Sequence, residues 1–307
     1  MTSDSTNPLT TTIFYDERYR AAGYAFETTR KSALIADLLS SRLRNHALRS
    51  PEPWADATRR LIDEMHSPRY VEAVLSGEPV DLAESQGFSW DAGLATSVLA
   101  HNEGCVAAVE LALADGGVVG TLSSGLHHAR TDHGAGYCTF NGVAIGARHA
   151  ADLGADRVLV LDVDAHGGGG TYSMTRGLAA DGRFVQVDVT VSIYDVETPT
   201  DDEHDVLLLA PSDDEGYLAT VDAALDRAGA LHADRPFDLV IVNAGVDPIN
   251  AGISAAALRD REERVARFVR SAGAGCAFTM AGGYTWGGFT LDDIAELHLA
   301  TIEAMTA

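Results

Sequence analysis

Short apolar runs rich in Val and Ile recur along the chain, each closed by Gly or Asp, and longer Ala-rich stretches of helical period lie between them. A brief apolar run bounded by turn formers reads as a strand buried on both faces. Its regular alternation with helices is the signature of parallel βαβ units. The pattern predicts strands over Val118–Leu122, Arg157–Val163, Phe184–Val191, Phe237–Asn243 and Cys276–Ala281. Helices are predicted over Asp91–Ala114, Phe140–Leu153, Ser212–Leu231, Ser254–Ala272 and Leu291–Met305. The helix near Ser212 opens with SDDE, which reads as a capping box whose acidic first turn suits the helix dipole. No Pro/Gly/Ser-rich linker and no internal repeat divides the chain, so residues 1–307 read as one α/β domain of three layers, with a mostly parallel central sheet and helices on both faces.

Composition narrows the picture. With 46% hydrophobic residues over 307 positions the chain has ample material for a core, and it holds no apolar run of membrane-spanning length. The opening MTSDSTNPLTTTIFYDERYR lacks a basic region followed by an apolar one, so a cytoplasmic protein is expected. Three cysteines, Cys105, Cys138 and Cys276, are widely spaced with no CxxC pair, and read as buried free thiols. Acidic residues number 45 against 22 basic ones, Lys31 being the only lysine, for a formal charge of −23. Such a surface disfavours binding to nucleic acid and would attract cationic substrates, and it equally suits a solubility or high-salt adaptation. The stretch Val196–Asp205, VETPTDDEHD, reads as a solvated loop. The pattern leaves both a monomer and a homo-oligomer open.

Candidate chemistry gathers where parallel sheets put it, at the carboxyl ends of strands. Val118–Leu122 runs into Ser-Ser-Gly-Leu-His127-His128, and Arg157–Val163 into Asp162-Val-Asp164-Ala-His166 followed by four glycines. Phe237–Asn243 ends in Ala-Gly-Val-Asp247, and Cys276–Ala281 in Gly-Gly-Tyr284-Thr-Trp286. Alternation in an extended chain puts Asp162, Asp164 and His166 on one face. An Asp/His pair joined by a carboxylate from a neighbouring strand gives three ligands and an open position, as catalytic zinc requires, although magnesium or a salt-bridged strand end fits DxDxH as well. The same ligand types suit ferrous iron. The four glycines resemble a phosphate cradle, but no Lys-Ser/Thr follows. Tandem histidines suit proton transfer and the Tyr284 hydroxyl suits donation to an oxyanion, although a histidine at a strand end also fits a structural role and Tyr284 a packing one.

Taken together, these segments resemble the histone deacetylase and acetylpolyamine amidohydrolase family, which shares its fold with arginase. GLHHARTDHGAGYCTFNGVAIGA (Gly125–Ala147), LDVDAHGGGG, NAGVDPINAG and AGGYT carry the likeness. Weaker likeness lies in Tyr15–Tyr19, His66–Gly77, Thr190–Ser192 and Asp213–Leu225, in family order. The resemblance implies zinc on Asp164, His166 and Asp247, a His127/His128 acid–base pair with Asp162 orienting His127, and Tyr284 as oxyanion donor. It also implies a narrow acyl channel past Gly136 and Tyr137, with Trp286 as a wall, and a potassium ion near Asp162 and Ser192. The implied reaction is hydrolysis of an N-acyl amine: an acetylpolyamine, an acetyl-lysine or a small metabolite amide.

Departures from the family pattern are specific. Gly167 and Gly169 replace the usual His and Asp or Asn after the metal histidine, so the carboxylate partner expected for His128 is missing and its proton affinity is expected to fall. Gly252 stands where an Asp is common, and the channel loop after Thr190–Ser192 gives way to the acidic Val196–Asp205 stretch. The missing carboxylate motivates a rival reading, a catalytically weak metal-binding protein that recognises an acyl group. Ureohydrolase chemistry on two manganese ions would need more bridging carboxylates than this turn offers.

Overall fold

The computed structural model describes residues 11–22, 30–42, 46–53, 55–176, 182–200 and 202–307. The expectation about a leader therefore falls largely outside the described residues, as does position 201 of the acidic stretch. Eight parallel strands form one sheet: β1 (Thr11–Phe14), β2 (His46–Arg49), β3 (Val118–Ser124), β4 (Val158–Asp162), β5 (Phe184–Thr190), β6 (Val206–Leu209), β7 (Leu239–Ala244) and β8 (Gly275–Met280). Their order is β2-β1-β3-β8-β7-β4-β5-β6, and every pair is parallel.

Alternation along the central strands feeds two cores. Leu159, Leu161 and Val163 point to one side with Val240, Val242, Cys276 and Phe278. Val158 and Val160 point to the other with Leu239, Ile241 and Ala277. The first side is covered by α1 (Lys31–Arg42), α8 (Asp214–Asp234), α9 (Ala255–Ala272) and α10 (Leu291–Thr306). The second is covered by α5 (Ala92–Asp115) and α6 (Gly142–Asp152), with α2 (Asp56–Met65) and α3 (Pro68–Ser76) packed outside them. Fully burying each such Val, Leu or Ile contributes about 1.5–3 kcal/mol, and both faces of β4 and β7 collect that gain. This is the three-layer arrangement predicted from the run pattern.

All five predicted strands and all five predicted helices are present, with ends shifted by one or two residues in most cases. The strands missed were β1, β2 and β6, each four residues long and two of them at the sheet edges, where a half-exposed face dilutes the apolar run. The capping prediction needs correction. Asp213, not Ser212, caps α8, accepting from the Gly216 N–H, while Asp214 reaches across to Ser254. The acidic stretch is also less solvated than expected: Thr198 is buried and donates to Asp188 at 2.7 Å, and Asp205 accepts from the Gln186 N–H. Cys105, Cys138 and Cys276 are buried and free. Among the described residues no helix is long and apolar enough to cross a membrane.

Candidate metal centre and active site

The four strands whose ends carry chemistry are consecutive in the sheet, β3-β8-β7-β4, so their tips open on one crevice. Asp162 is the last residue of β4; Asp164 and His166 sit on the bend beyond it rather than on an extended segment, and their common direction comes from that bend. Asp247 begins the short 3-10 turn after β7. Ligand atoms of Asp164, His166 and Asp247 lie within 4.8 Å of one another.

Each carboxylate is fixed by backbone. Asp164 Oδ2 accepts from the Gly282 N–H at 2.8 Å, and Asp247 Oδ1 accepts from the Ala165 N–H at 2.9 Å. Two glycines make the approach possible: a Cβ at Gly245 would lie 2.1 Å from Asp164 Oδ2, and one at Gly282 would lie 2.3 Å from Asp247 Oδ2. The remaining oxygens turn inward, with His166 Nδ1 lying 3.2 Å from Asp164 Oδ1 and 3.1 Å from Asp247 Oδ2. Asp247 Oδ2 is buried without a hydrogen-bond partner. Two buried carboxylates and one imidazole converging on a point is a donor set that fits a divalent cation, and the unsatisfied oxygen is what such an ion would take.

The electrostatics agree. Burial would lower the His166 pKa, but the neighbouring carboxylates of Asp164 and Asp247 raise it to about 10, so a proton takes the place of positive charge. Burial and the Asp164 charge push Asp247 up. Burial opposes charge on Asp164, yet His127, His166 and His128 hold its carboxyl far below the usual range.

Beside this triad the tandem histidines are buried, with ring centroids 3.9 Å apart and the rings tilted by 37°. His127 Nδ1 meets Asp162 Oδ2 at 2.7 Å, the contact predicted for it, and its Nε2 lies 3.7 Å from Asp164 Oδ1. Burial lowers its pKa, but the charges of Asp162 and Asp164 prevail and raise it to about 10. His128 is not without a carboxylate, contrary to the reading of Gly169: its Nδ1 meets Asp195 Oδ2 at 2.7 Å. Its pKa does fall, to about 4, because burial and the charge of His127 outweigh that contact.

Tyr284 lines the same cavity as His127, His128 and Asp164, and its ring stacks on Trp286 at 4.4 Å. Asn250 clamps the Tyr284 backbone, accepting from its N–H and donating to its carbonyl. Gly136 and Tyr137 line the same cavity; Trp286, Tyr194 and Gln86 line an adjoining pocket that shares Gly136, Tyr137 and Tyr284 with it. Phe88, which packs against Tyr137, and Lys31, whose ammonium donates to the Ala281 carbonyl at the inner end, were not flagged from the sequence. Burial lowers Lys31 to about 8. The potassium expectation gains no comparable support. Asp162 Oδ1 accepts from Asn243 Nδ2 and the Asp164 N–H, and Ser192 Oγ accepts from the Tyr194 N–H.

Residues 24–302 match the model of the histone deacetylase domain. The chain belongs to the histone deacetylase family. It is accordingly an enzyme that hydrolyses linear amide bonds, and its Asp–His–Asp cluster answers to the metal dependence typical of this family. An uncharacterized protein of Picosynechococcus sp. is 30% identical over 241 residues, 74% of this chain and 76% of that protein. Histone deacetylase 2 of Arabidopsis thaliana is 28% identical over 193 residues, 59% of this chain and 48% of that one. Among solved structures, an acetylpolyamine aminohydrolase from Burkholderia pseudomallei superposes with a TM-score of 0.74 at 16% identity, over 97% of this chain and 99% of that one. The last likeness establishes the deacetylase/arginase fold.

Among the site residues, Asp195 is the one that sequence reasoning missed most completely. It lies in a polar loop after β5, and its only signal was negative, the absence of any acid at Gly169.

Proposed function

We propose that this histone deacetylase relative is a zinc-dependent deacylase of small N-acyl amines, built on one catalytic domain over residues 1–307 and working in the cytoplasm. The observation that carries the reading is that Asp164 of the Asp164–His166–Asp247 cluster lines one cavity with His127, His128 and Tyr284, and His166 lines the adjoining one with His128 and Tyr284. When bound, zinc supplies a Lewis acid that polarises the acyl carbonyl and makes a water easier to ionise. His128, kept neutral by burial and by the charge of His127, takes the proton of the attacking water at Nε2 and returns it to the departing nitrogen. His127, an imidazolium by virtue of Asp162 and Asp164, contributes positive charge beside the reacting carbonyl. Tyr284 donates its hydroxyl proton in a hydrogen bond to the oxyanion, and burial, with Asp247 and Asp164 nearby, keeps that phenol protonated. Tyr137, Phe88 and Trp286 give the acyl amine an aromatic passage, and an acidic chain attracts amines that carry positive charge, such as acetylpolyamines.

The binding-only reading lost its motive when Asp195 was found at His128. The test is direct. Metal analysis is expected to give one zinc per chain, and zinc-loaded enzyme to release acetate from a panel of acetylpolyamines and acetyl-lysine peptides. Tyr284→Phe is expected to keep the metal and lower kcat about 100- to 1,000-fold, and Asp247→Ala to lose both metal and turnover. Stoichiometric zinc with no release of any acyl group across the panel overturns the proposal; two manganese ions per chain would do so too.

A further inference from the structure

The turn after the metal histidine is four glycines, Gly167 to Gly170, and the space beside it is filled from another part of the chain. Asp195 sits in the left-handed region at φ 58, three residues beyond Ser192, and its side chain is 6% exposed. Oδ2 of its carboxylate faces His128 Nδ1 at 2.7 Å and accepts the Gly170 N–H at 3.2 Å, while Oδ1 pairs with Arg130. Arg130 reaches further to Glu197 at 2.8 Å. The Tyr194 and Asp195 carbonyls accept the N–H groups of Gly167 and Gly169, each at 3.1 Å.

Sterics make this arrangement and a side chain in the turn mutually exclusive. A Cβ at Gly169 would lie 2.4 Å from Asp195 Oδ1 and 2.6 Å from Asp195 O, and one at Gly167 would lie 2.4 Å from Asp195 O. The glycines are thus the counterpart of Asp195: they vacate the volume that its carboxylate and backbone take up. The result is a second Nδ1–carboxylate pair matching that of His127 with Asp162, also 2.7 Å long.

We infer that Asp195 is the positioning residue of His128, a carboxylate delivered by the loop after β5 in place of one from the glycine turn. An imidazole whose Nδ1–H is held by a carboxylate is locked in the tautomer that presents the Nε2 lone pair to the cavity, and its ring cannot swing. Arg130, paired with the other carboxylate oxygen, holds that carboxylate in its aim at the ring. This assignment rests on His128 acting as the proton-transfer group of the proposed deacylase.

The experiment combines kinetics with a readout that needs no substrate. Asp195→Asn, with zinc content unchanged, is expected to lower kcat about 100-fold and move KM less than about threefold, because an amide can turn its NH₂ toward Nδ1 and favour the wrong tautomer. Asp195→Gly suits the positive φ and is expected to lose as much. Gly169→Asp would set its Cβ against both the carboxylate and the backbone carbonyl of Asp195 and is expected to lose activity. In proton NMR of the parent, the His128 Nδ1–H is expected as a slowly exchanging downfield signal that disappears in Asp195→Asn. That signal stands or falls regardless of turnover, so failure to find a substrate would not count against Asp195. Absence of the signal in the parent, or a kcat within twofold of the parent in Asp195→Asn, overturns the inference.

Discussion

His127 and His128 are adjacent in the chain, lie with their rings in tilted contact and each hold a carboxylate at 2.7 Å, yet one is driven to a pKa of about 10 and the other to about 4. Burial lowers both. The difference lies in what else surrounds them. His127 faces Asp162 and Asp164 together, both buried at strand ends, and these charges overcome desolvation. His128 has the charge of His127 beside it, and its own carboxylate is shared with Arg130 and the Gly170 N–H. A hydrogen-bonded carboxylate fixes ring orientation; it does not by itself fix charge, which follows from the sum of neighbours. The two pairs also differ in origin. Asp162 comes from the rigid end of β4, where Asn243 braces it, whereas Asp195 comes from a loop held by Arg130 and the glycine turn.

The comparison breaks most readily in activity. Replacing His128 with Ala is expected to lower kcat about 1,000-fold with metal retained, as loss of a general base does, and replacing His127 with Ala about tenfold. A larger loss at His127 would reverse the division of labour. Next in size is stability. Asp162→Asn leaves a buried imidazolium without its first counter-charge and is expected to cost about 3–5 kcal/mol in chemical denaturation, against a smaller cost for Asp195→Asn, whose site borders solvent and retains Arg130. Equal costs would mean that the loop-borne pair is built into the fold as firmly as the strand-borne one.

The smallest expected effect is the pH dependence. His66, His101 and His128 are all lowered to about 4 by burial, so between pH 6.5 and 4 the unfolded chain binds protons that the folded one refuses. Their contribution to stability is complete above pH 6.5 and is lost as pH falls toward 4. His46, His149 and His298, also lowered by burial, act the same way, whereas Asp188, Asp205 and Asp247, raised by burial, and His127 and His166, raised by their carboxylates, pull the opposite way, five groups against six. Thermal unfolding of the metal-free protein at pH 7 and pH 5 is expected to show a Tm several degrees lower at the acid value; an unchanged Tm would mean that these rings are not held neutral.

How much of this was legible beforehand can be argued from particular residues. Asp164, His166 and Asp247 could be named because parallel strands bring their carboxyl ends to one edge, and β7 and β4 turned out to be neighbours. Of the residues named as channel walls, Gly136 and Tyr137 line the cavity with His127 and Asp164, and Trp286 lines the adjoining pocket. The short strands β1, β2 and β6 were not legible, because four residues carry too little pattern to stand out from a loop. Phe88 and Lys31 reach the cavity from segments distant in sequence, and nothing local marks them.

The glycine turn marks the boundary between the two kinds of information. By itself the sequence determined the parallel three-layer sheet and the positions of the metal-ligand candidates, since both follow from local hydrophobic period and from the rule that strand ends carry the chemistry. It also determined that residue 169 has no carboxylate to offer. Whether His128 therefore lacks one was decided only by the tertiary structure, because the answer depends on a loop 26 residues further on folding back into the volume those glycines leave empty. Side-chain absence is written in the sequence, but occupancy of the resulting space is a long-range packing outcome, and no local pattern encodes it.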